Sequence, residues 1–202
     1  MAAKSLLPAD QLPAEIAHFL RPELPPLGPG RPQHTLEGLL HQADPNSWKR
    51  RGGALSIDAA ACCKSGLWLW NGFLEASHSL SQAIHTAEGS WWHGIMHRRE
   101  PDYGNGKYWF RRVGHHPCFD KLAPLAEQAL DECGSFAVDD WKHRVTGSNG
   151  WDGAAFIDLC QTAEQSSDLE LTTAAKRIQW AEMLLLLEHS YRQASGLKFE
   201  PS

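Results

Sequence analysis

The sequence has no even set of cysteines, no long apolar run and no basic excess, and each lack removes a class of protein. Its five cysteines include the adjacent pair Cys62 and Cys63 and show no C-x-x-C spacing. They therefore specify neither a disulfide framework nor a zinc ribbon or thioredoxin-like motif, and a reducing compartment fits them best. The longest apolar run, residues 183–187, is far short of the roughly 20 residues that span a bilayer. The opening stretch MAAKSLLPADQLPAEIAHFL has no long apolar core behind a basic start, so the expectation is a cytoplasmic protein without membrane contact. A net charge of −5 and a pI near 6.1 oppose attraction to phosphate backbones, which argues against nucleic acid as a partner. Net charge describes the far field, so a local basic cluster remains able to hold a small anion. Also missing are a Ser-His-Asp order, a glycine-rich phosphate loop and a cysteine-nucleophile signature, and with them any motif for a nucleophilic hydrolase or a nucleotide binder.

What is present points to one folded unit. The 202 residues are 42% hydrophobic and 21% charged with nine tryptophans, enough apolar area for a core that needs no disulfides. Residues 1–35 carry Pro8, Pro13, Pro22, Pro25, Pro26, Pro29 and Pro32. That density permits one short helix near residues 14–20 and otherwise an extended arm. Residues 36–202 then read as a single all-α domain, because no segment sustains the alternation of β-branched residues that a strand requires. Helices are expected over residues 66–87, over 91–99 behind Ser90, over 107–113 after a turn at 102–106, over 122–130 capped near Asp120, and over 141–146. Asp152 caps another over 153–164, and Asp168 opens the longest, ending near Ser195 and Gly196. The last would be roughly 40 Å long and serve as the central strut of an irregular helical bundle.

The helix expected at 66–87 carries an apolar stripe of Leu69, Phe73, Ala76, Leu80, Ala83 and Ala87. A flanking stripe begins as Leu67, Trp70 and Leu74 and then turns into Ser77, His78, Ser81 and His85, as on a helix that lines a polar pocket. The densest set of reactive side chains follows. Between His93 and His116 lie four of the eleven histidines together with Arg98, Arg99, Arg111, Arg112, Glu100 and Asp102.

His93 and His97 stand one helical turn apart, a spacing that can chelate a divalent metal, with His78, His85 or His116 as third ligand. It is not the metalloprotease motif, whose general-base glutamate is replaced by Gly94. Used without metal, His93 and His97 are candidates for acid–base chemistry, with Glu100 or Asp102 orienting a histidine. Arg98 and Arg112 are candidate anchors for an anionic ligand, because a planar guanidinium suits carboxylate and phosphate. The competing reading gives these arginines to the ends of their own helices and to Glu100 and Asp102. Tyr108, Ser81, His78 and His116 complete the candidate binding residues, while the tryptophans of this stretch are read as core.

The run WHGIMHRREPDYGNGKYWFRRVGHHP, residues 92–117, resembles a family of mainly helical bacterial proteins without an assigned activity. The helix with His78 and Ser81 and the Trp151-Asp152 segment share that likeness, which extends over residues 60–192. It implies a helical fold and marks the site region, and it supplies no substrate. Residues 108–112 are also similar to one helix of a Sel1-like repeat, which would imply an interaction scaffold.

Two functions remain on sequence alone. One is a small-molecule ligand-binding protein or enzyme with a His/Arg/carboxylate pocket and a divalent metal as candidate cofactor. The other is a noncatalytic helical scaffold for protein interaction. For the first, the imidazoles of His78 and His97 should lie within about 8 Å of each other, close enough to share one ligand.

Overall fold

The computed structural model describes residues 14–44, 47, 56–136, 138–147 and 150–196; residues 1–13 of the expected arm lie outside them. The helices are α1 (Ala14–Ala17), α2 (His34–Gln42), α3 (Ile57–Trp70), α4 (Leu74–Ser81), α5 (Ala87–Arg99), α6 (Tyr103–Val113), α7 (Phe119–Asp131), α8 (Val138–Thr146), α9 (Gly153–Gln165) and α10 (Leu169–Ser195). Among the described residues there is no strand, and no helix is long and apolar enough to cross a membrane. The all-α class read from the sequence is the class the chain adopts.

The long C-terminal helix forms as its caps predict. Asp168 accepts the Leu171 N–H at 2.9 Å, and Gly196 closes the helix in the left-handed conformation at φ 71°. Residues 178–187 are buried on every side, and α10 packs against α3, α7 and α9.

The helix expected at 66–87 is two helices, because Gly72 ends α3 in a left-handed turn, its N–H donating to the Leu69 carbonyl and that of Phe73 to the Trp68 carbonyl, and the arm packs against this turn. Gly72 adopts φ 81°, and a Cβ there would stand 2.8 Å from the Arg31 carbonyl oxygen, so the arm backbone crosses where the helix breaks. Asn71 finishes α3 by donating its side-chain amide to the carbonyls of Phe19 and Leu67. Beyond the break the apolar stripe is not the inner face. Phe73, Ala76 and Leu80 are half-buried, Ala83 is exposed, and Ser77 and Ser81 are buried.

Other expected boundaries also move. Ser90 does not open the next helix; Thr86 does, accepting the Gly89 N–H at 3.1 Å, so residues 88–90 form the first turn of α5. Asp102 opens α6 at Tyr103, four residues before the expected start, by accepting the Asn105 N–H. Asp120 is not a cap, since α7 already begins at Phe119. In each case a polar side chain one turn upstream satisfies free N–H groups, or the preceding turn runs on without a cap.

The arm is stitched to the body from residue 16 onward. Ile16, Phe19 and Leu27 belong to the main core. Gln179 donates to the Pro26 carbonyl at 2.9 Å, and Arg99 donates to the carbonyls of Gly28, Pro29 and Leu69.

Two glycines let α5, α6 and α9 close on one phenylalanine. A Cβ on Gly94 would stand 2.7 Å from one edge of the Phe110 ring, and a Cβ on Gly153 would stand 2.2 Å from the opposite edge. The ring has no direction in which to retreat. We therefore expect Gly94→Ala to cost about 1–3 kcal/mol by overpacking, lowering Tm by about 2–4 °C per kcal/mol. Calorimetry should show part of that loss recovered when Phe110→Leu is added, and additive losses would refute the squeeze.

Candidate functional site: a buried three-histidine centre

Helix α5 has no solvent face: residues 89–99 are all buried, between α6 on one side and α3 and α4 on the other. A polar helix in that position must bring its histidines and arginines inside, where each needs a partner. The partners divide the polar residues of α5 into separate groups.

The first group is the centre. His93 and His97 of α5 lie beneath His78 of α4, with ring centroids 4.9 Å apart for His78 and His93, 5.4 Å for His78 and His97, and 4.7 Å for His93 and His97. The expected approach of His78 to His97 is met, although the two helices are not arranged as expected. The Nε2 atoms of His93 and His97 are 2.8 Å apart, and one ring nitrogen from each of the three residues falls within a mutual 4.8 Å. His97 turns its other nitrogen outward. Its Nδ1 stands 3.2 Å from Glu100 Oε2 and 4.0 Å from Asp102 Oδ2, both on half-exposed side chains. Asn105 places its amide nitrogen 3.1 Å from His97 Nε2, and Trp109 stacks on His93 at 4.1 Å and 22°.

Burial sets the charge of this centre. His93 and His97 are 2% and 6% exposed. Removal from water pushes His93 down to about 4, with His97 and His78 adding to the effect. Burial also holds His97 below its ordinary range, against the opposing pull of Glu100. The centre thus holds two buried imidazoles, His93 and His97, pushed toward the neutral form, beside a carboxylate rim at the surface.

Several expected site residues lie elsewhere. Arg98, expected as an anion anchor, is fully buried and pairs with Glu182 at 2.5 Å and with Gln179 at 3.2 Å. Burial works against its charge, and Glu182 more than offsets that. The same carboxylate accepts the Trp91 indole N–H at 2.9 Å, so Arg98 serves the core. Its partner is neither Glu100 nor Asp102, as the competing reading had it, because α5 points Arg98 inward toward α10. Arg112 and Tyr108 are exposed, the guanidinium lying 5.2 Å from the Trp109 ring and donating to the Tyr108 hydroxyl at 3.4 Å. Through Trp109, Arg112 comes within about 9 Å of the His93 ring. Ser81 is buried with its hydroxyl donating to the His78 carbonyl at 3.4 Å. His85 is exposed.

His116 belongs to a second group. It lies with Cys118 and His189 within 4.8 Å, beside Glu88, whose Oε1 is 3.5 Å from His116 Nε2 and 3.2 Å from His189 Nε2. The two histidines hold the Glu88 carboxyl far below its usual range, and burial pushes the Cys118 thiol up to about 12, which leaves it inert as a nucleophile.

Asn105, Trp109, Glu88 and His189 were not read from the sequence as site residues. Trp109 looked like core. His189 sits 73 positions from His116 in an apolar helix, and no local spacing announces it. A cleft of about 520 Å³ opens beyond the C-terminal end of α6, lined by Gly114, His115, Phe119, Asp120 and Trp151 among others, and none of the three histidines lines it.

The fold and the site together define an all-α protein with a buried three-histidine centre beneath a carboxylate rim. Comparison with known proteins finds no matching family model, no matching curated protein and no matching solved structure.

Proposed function

We propose that this protein binds a small polar molecule at the three-histidine centre and acts on it as an enzyme or holds it as a receptor. One observation carries the reading: His78, His93 and His97 converge from two helices, and Glu100 and Asp102 lie beside Nδ1 of His97. A carboxylate beside Nδ1 keeps the proton there and leaves Nε2 as the basic atom, the arrangement of a general base or a ligand-binding imidazole. Asn105 fixes the same ring from the other side, and Trp109 fixes the plane of His93. Of the three histidines His78 is the half-buried one, so a ligand would approach from its side. Arg98 is committed to Glu182, so Arg112 is the cation left to meet an anionic group on that ligand. The scaffold reading draws less support, because the large exposed hydrophobics Leu39, Ile57, Tyr108, Phe136 and Leu169 are spread over four helices and one loop.

The test is a thermal-shift screen of small carboxylates, phosphates and amines against wild type, His97→Gln and Arg112→Ala. A ligand of this centre should raise the Tm of wild type by several degrees, fail to raise that of His97→Gln, and bind Arg112→Ala more weakly if it is anionic. A compound that stabilises His97→Gln as well as wild type binds elsewhere, and a set made only of such compounds removes the proposal.

A further inference from the structure

We infer that His78, His93 and His97 are the protein ligands of one divalent transition-metal ion of the zinc type, with Glu100 and Asp102 outside it on the far nitrogen of His97. This goes beyond the proposed function by naming a cofactor, and it does not require that a small molecule bind.

The argument rests on where protons can sit. His97 Nδ1 lies 3.2 Å from Glu100 Oε2 and 4.0 Å from Asp102 Oδ2, within electrostatic reach though without hydrogen-bond geometry, and this negative charge favours the proton on Nδ1 and the lone pair on Nε2. The Asn105 amide nitrogen, a donor 3.1 Å from Nε2, agrees with that assignment, and an ion bound at Nε2 would take the place of this contact. His93 Nε2 stands 2.8 Å from the same lone pair. Two ring nitrogens that close must share a proton or a cation between them. His93 Nδ1 is buried and meets no partner in hydrogen-bond geometry, while the Ser81 backbone acts on the same ring, so its proton is not held to Nε2. Placing the proton on Nδ1 frees a second lone pair toward the first, and His78 supplies a third ring nitrogen inside the same 4.8 Å.

Metal–nitrogen bonds of about 2.0–2.1 Å on a tetrahedral ion separate two ligand nitrogens by about 3.3 Å. The His93 and His97 rings therefore need to part by only about half an ångström, which small side-chain rotations supply. Three imidazole ligands with no carboxylate or thiolate among them suit zinc, copper, nickel or iron and not magnesium or calcium. Glu100 and Asp102 fit the outer role: a carboxylate on the far nitrogen of a metal-bound histidine fixes the tautomer and strengthens the ligand. Their two negative charges also match a dication at this place.

The second cluster shows the opposite proton pattern. The Cys118 backbone N–H donates to His116 Nδ1 at 3.2 Å, so the lone pair of that ring is already used and its proton sits on Nε2, toward Glu88. A metal bound at His116 Nε2 would have to displace that proton and leave the ring an anion. His116, Cys118 and His189 thus serve as the internal control.

The experiment uses the full chain without a histidine tag, stripped with chelator and titrated with Co²⁺ and then Zn²⁺. One equivalent of cobalt should bind and give the visible absorption of a four- or five-coordinate nitrogen site, with no thiolate-to-cobalt charge transfer in the near ultraviolet. Zinc should displace it. His97→Gln and His78→Ala should each weaken cobalt binding by roughly 100-fold or more, and Glu100→Gln by roughly 10-fold or more. His116→Ala and Cys118→Ser should bind cobalt as wild type does. His78 is half-buried, so its variant reports on the site even if a substitution at His93 or His97 prevents folding. No stoichiometric cobalt, unchanged affinity in both histidine variants, or a thiolate band that vanishes in Cys118→Ser would each overturn the inference. A small molecule that needs His97 and binds the chelator-treated protein equally well would leave the proposed function standing and remove the metal.

Discussion

Glu182→Leu should be the most damaging single substitution in the core, costing about 3–5 kcal/mol and lowering Tm by roughly 6–20 °C in a chain of this size. Glu182 is fully buried, receives both Arg98 and the Trp91 indole, and sits in the otherwise apolar stretch of α10. Removing it strands the Arg98 guanidinium, which is equally buried, with only Gln179 as partner. The cost arises from the uncompensated charge and not from the value of the pair itself. Adding Arg98→Met to Glu182→Leu should therefore recover most of the loss, since an apolar replacement of a whole buried pair is often neutral. Equilibrium denaturation of the two single variants and the double variant tests this. Losses that simply add would show that the pair does not act as a unit.

The second large effect is on metal-linked stability. An ion that binds the folded chain alone adds about 2.7 kcal/mol at a hundred times its Kd. Zinc should thus raise the Tm of the chelator-treated protein by roughly 5–10 °C. His97→Ala should show no such rise, and His116→Ala should show it in full. An equal rise in His97→Ala would place the ion elsewhere. Differential scanning calorimetry with and without zinc, at fixed protein concentration, separates the cases.

How far the sequence could be read depends on the range of the interaction concerned. Asp152 and Asp168 were legible as caps because a cap is a contact between residues two or three positions apart, and α9 and α10 start where they place them. Residues 66–87 were misread because the apolar stripe was followed across Asn71-Gly72, a local stop that closes α3 with Gly72 left-handed; only the packing of Arg31 and Phe19 against that turn comes from outside. No pattern within those residues records a chain 40 positions away. The His93 and His97 spacing was legible for the same local reason as the caps, and His78 joined them by a turn that brings α4 back over α5. The arginines were misread in detail. Arg98 was read as an anchor for an anionic ligand, with a helix-end role for both Arg98 and Arg99 as the competing reading, and they became interior residues because α5 is buried over residues 89–99.

By itself the sequence determined the helical class, the long C-terminal helix and the neighbourhood of the histidine cluster, since periodicity, caps and side-chain chemistry act within a few residues. Tertiary structure alone decided which polar groups meet. It sent Arg98 to Glu182, Arg99 to the carbonyls of the arm, His116 to Glu88, and left His78, His93 and His97 facing one another beside Glu100. The physical reason is that a buried polar group takes whatever partner the packing of helices brings within about 3 Å, and that packing is fixed by apolar contacts spread over the whole chain.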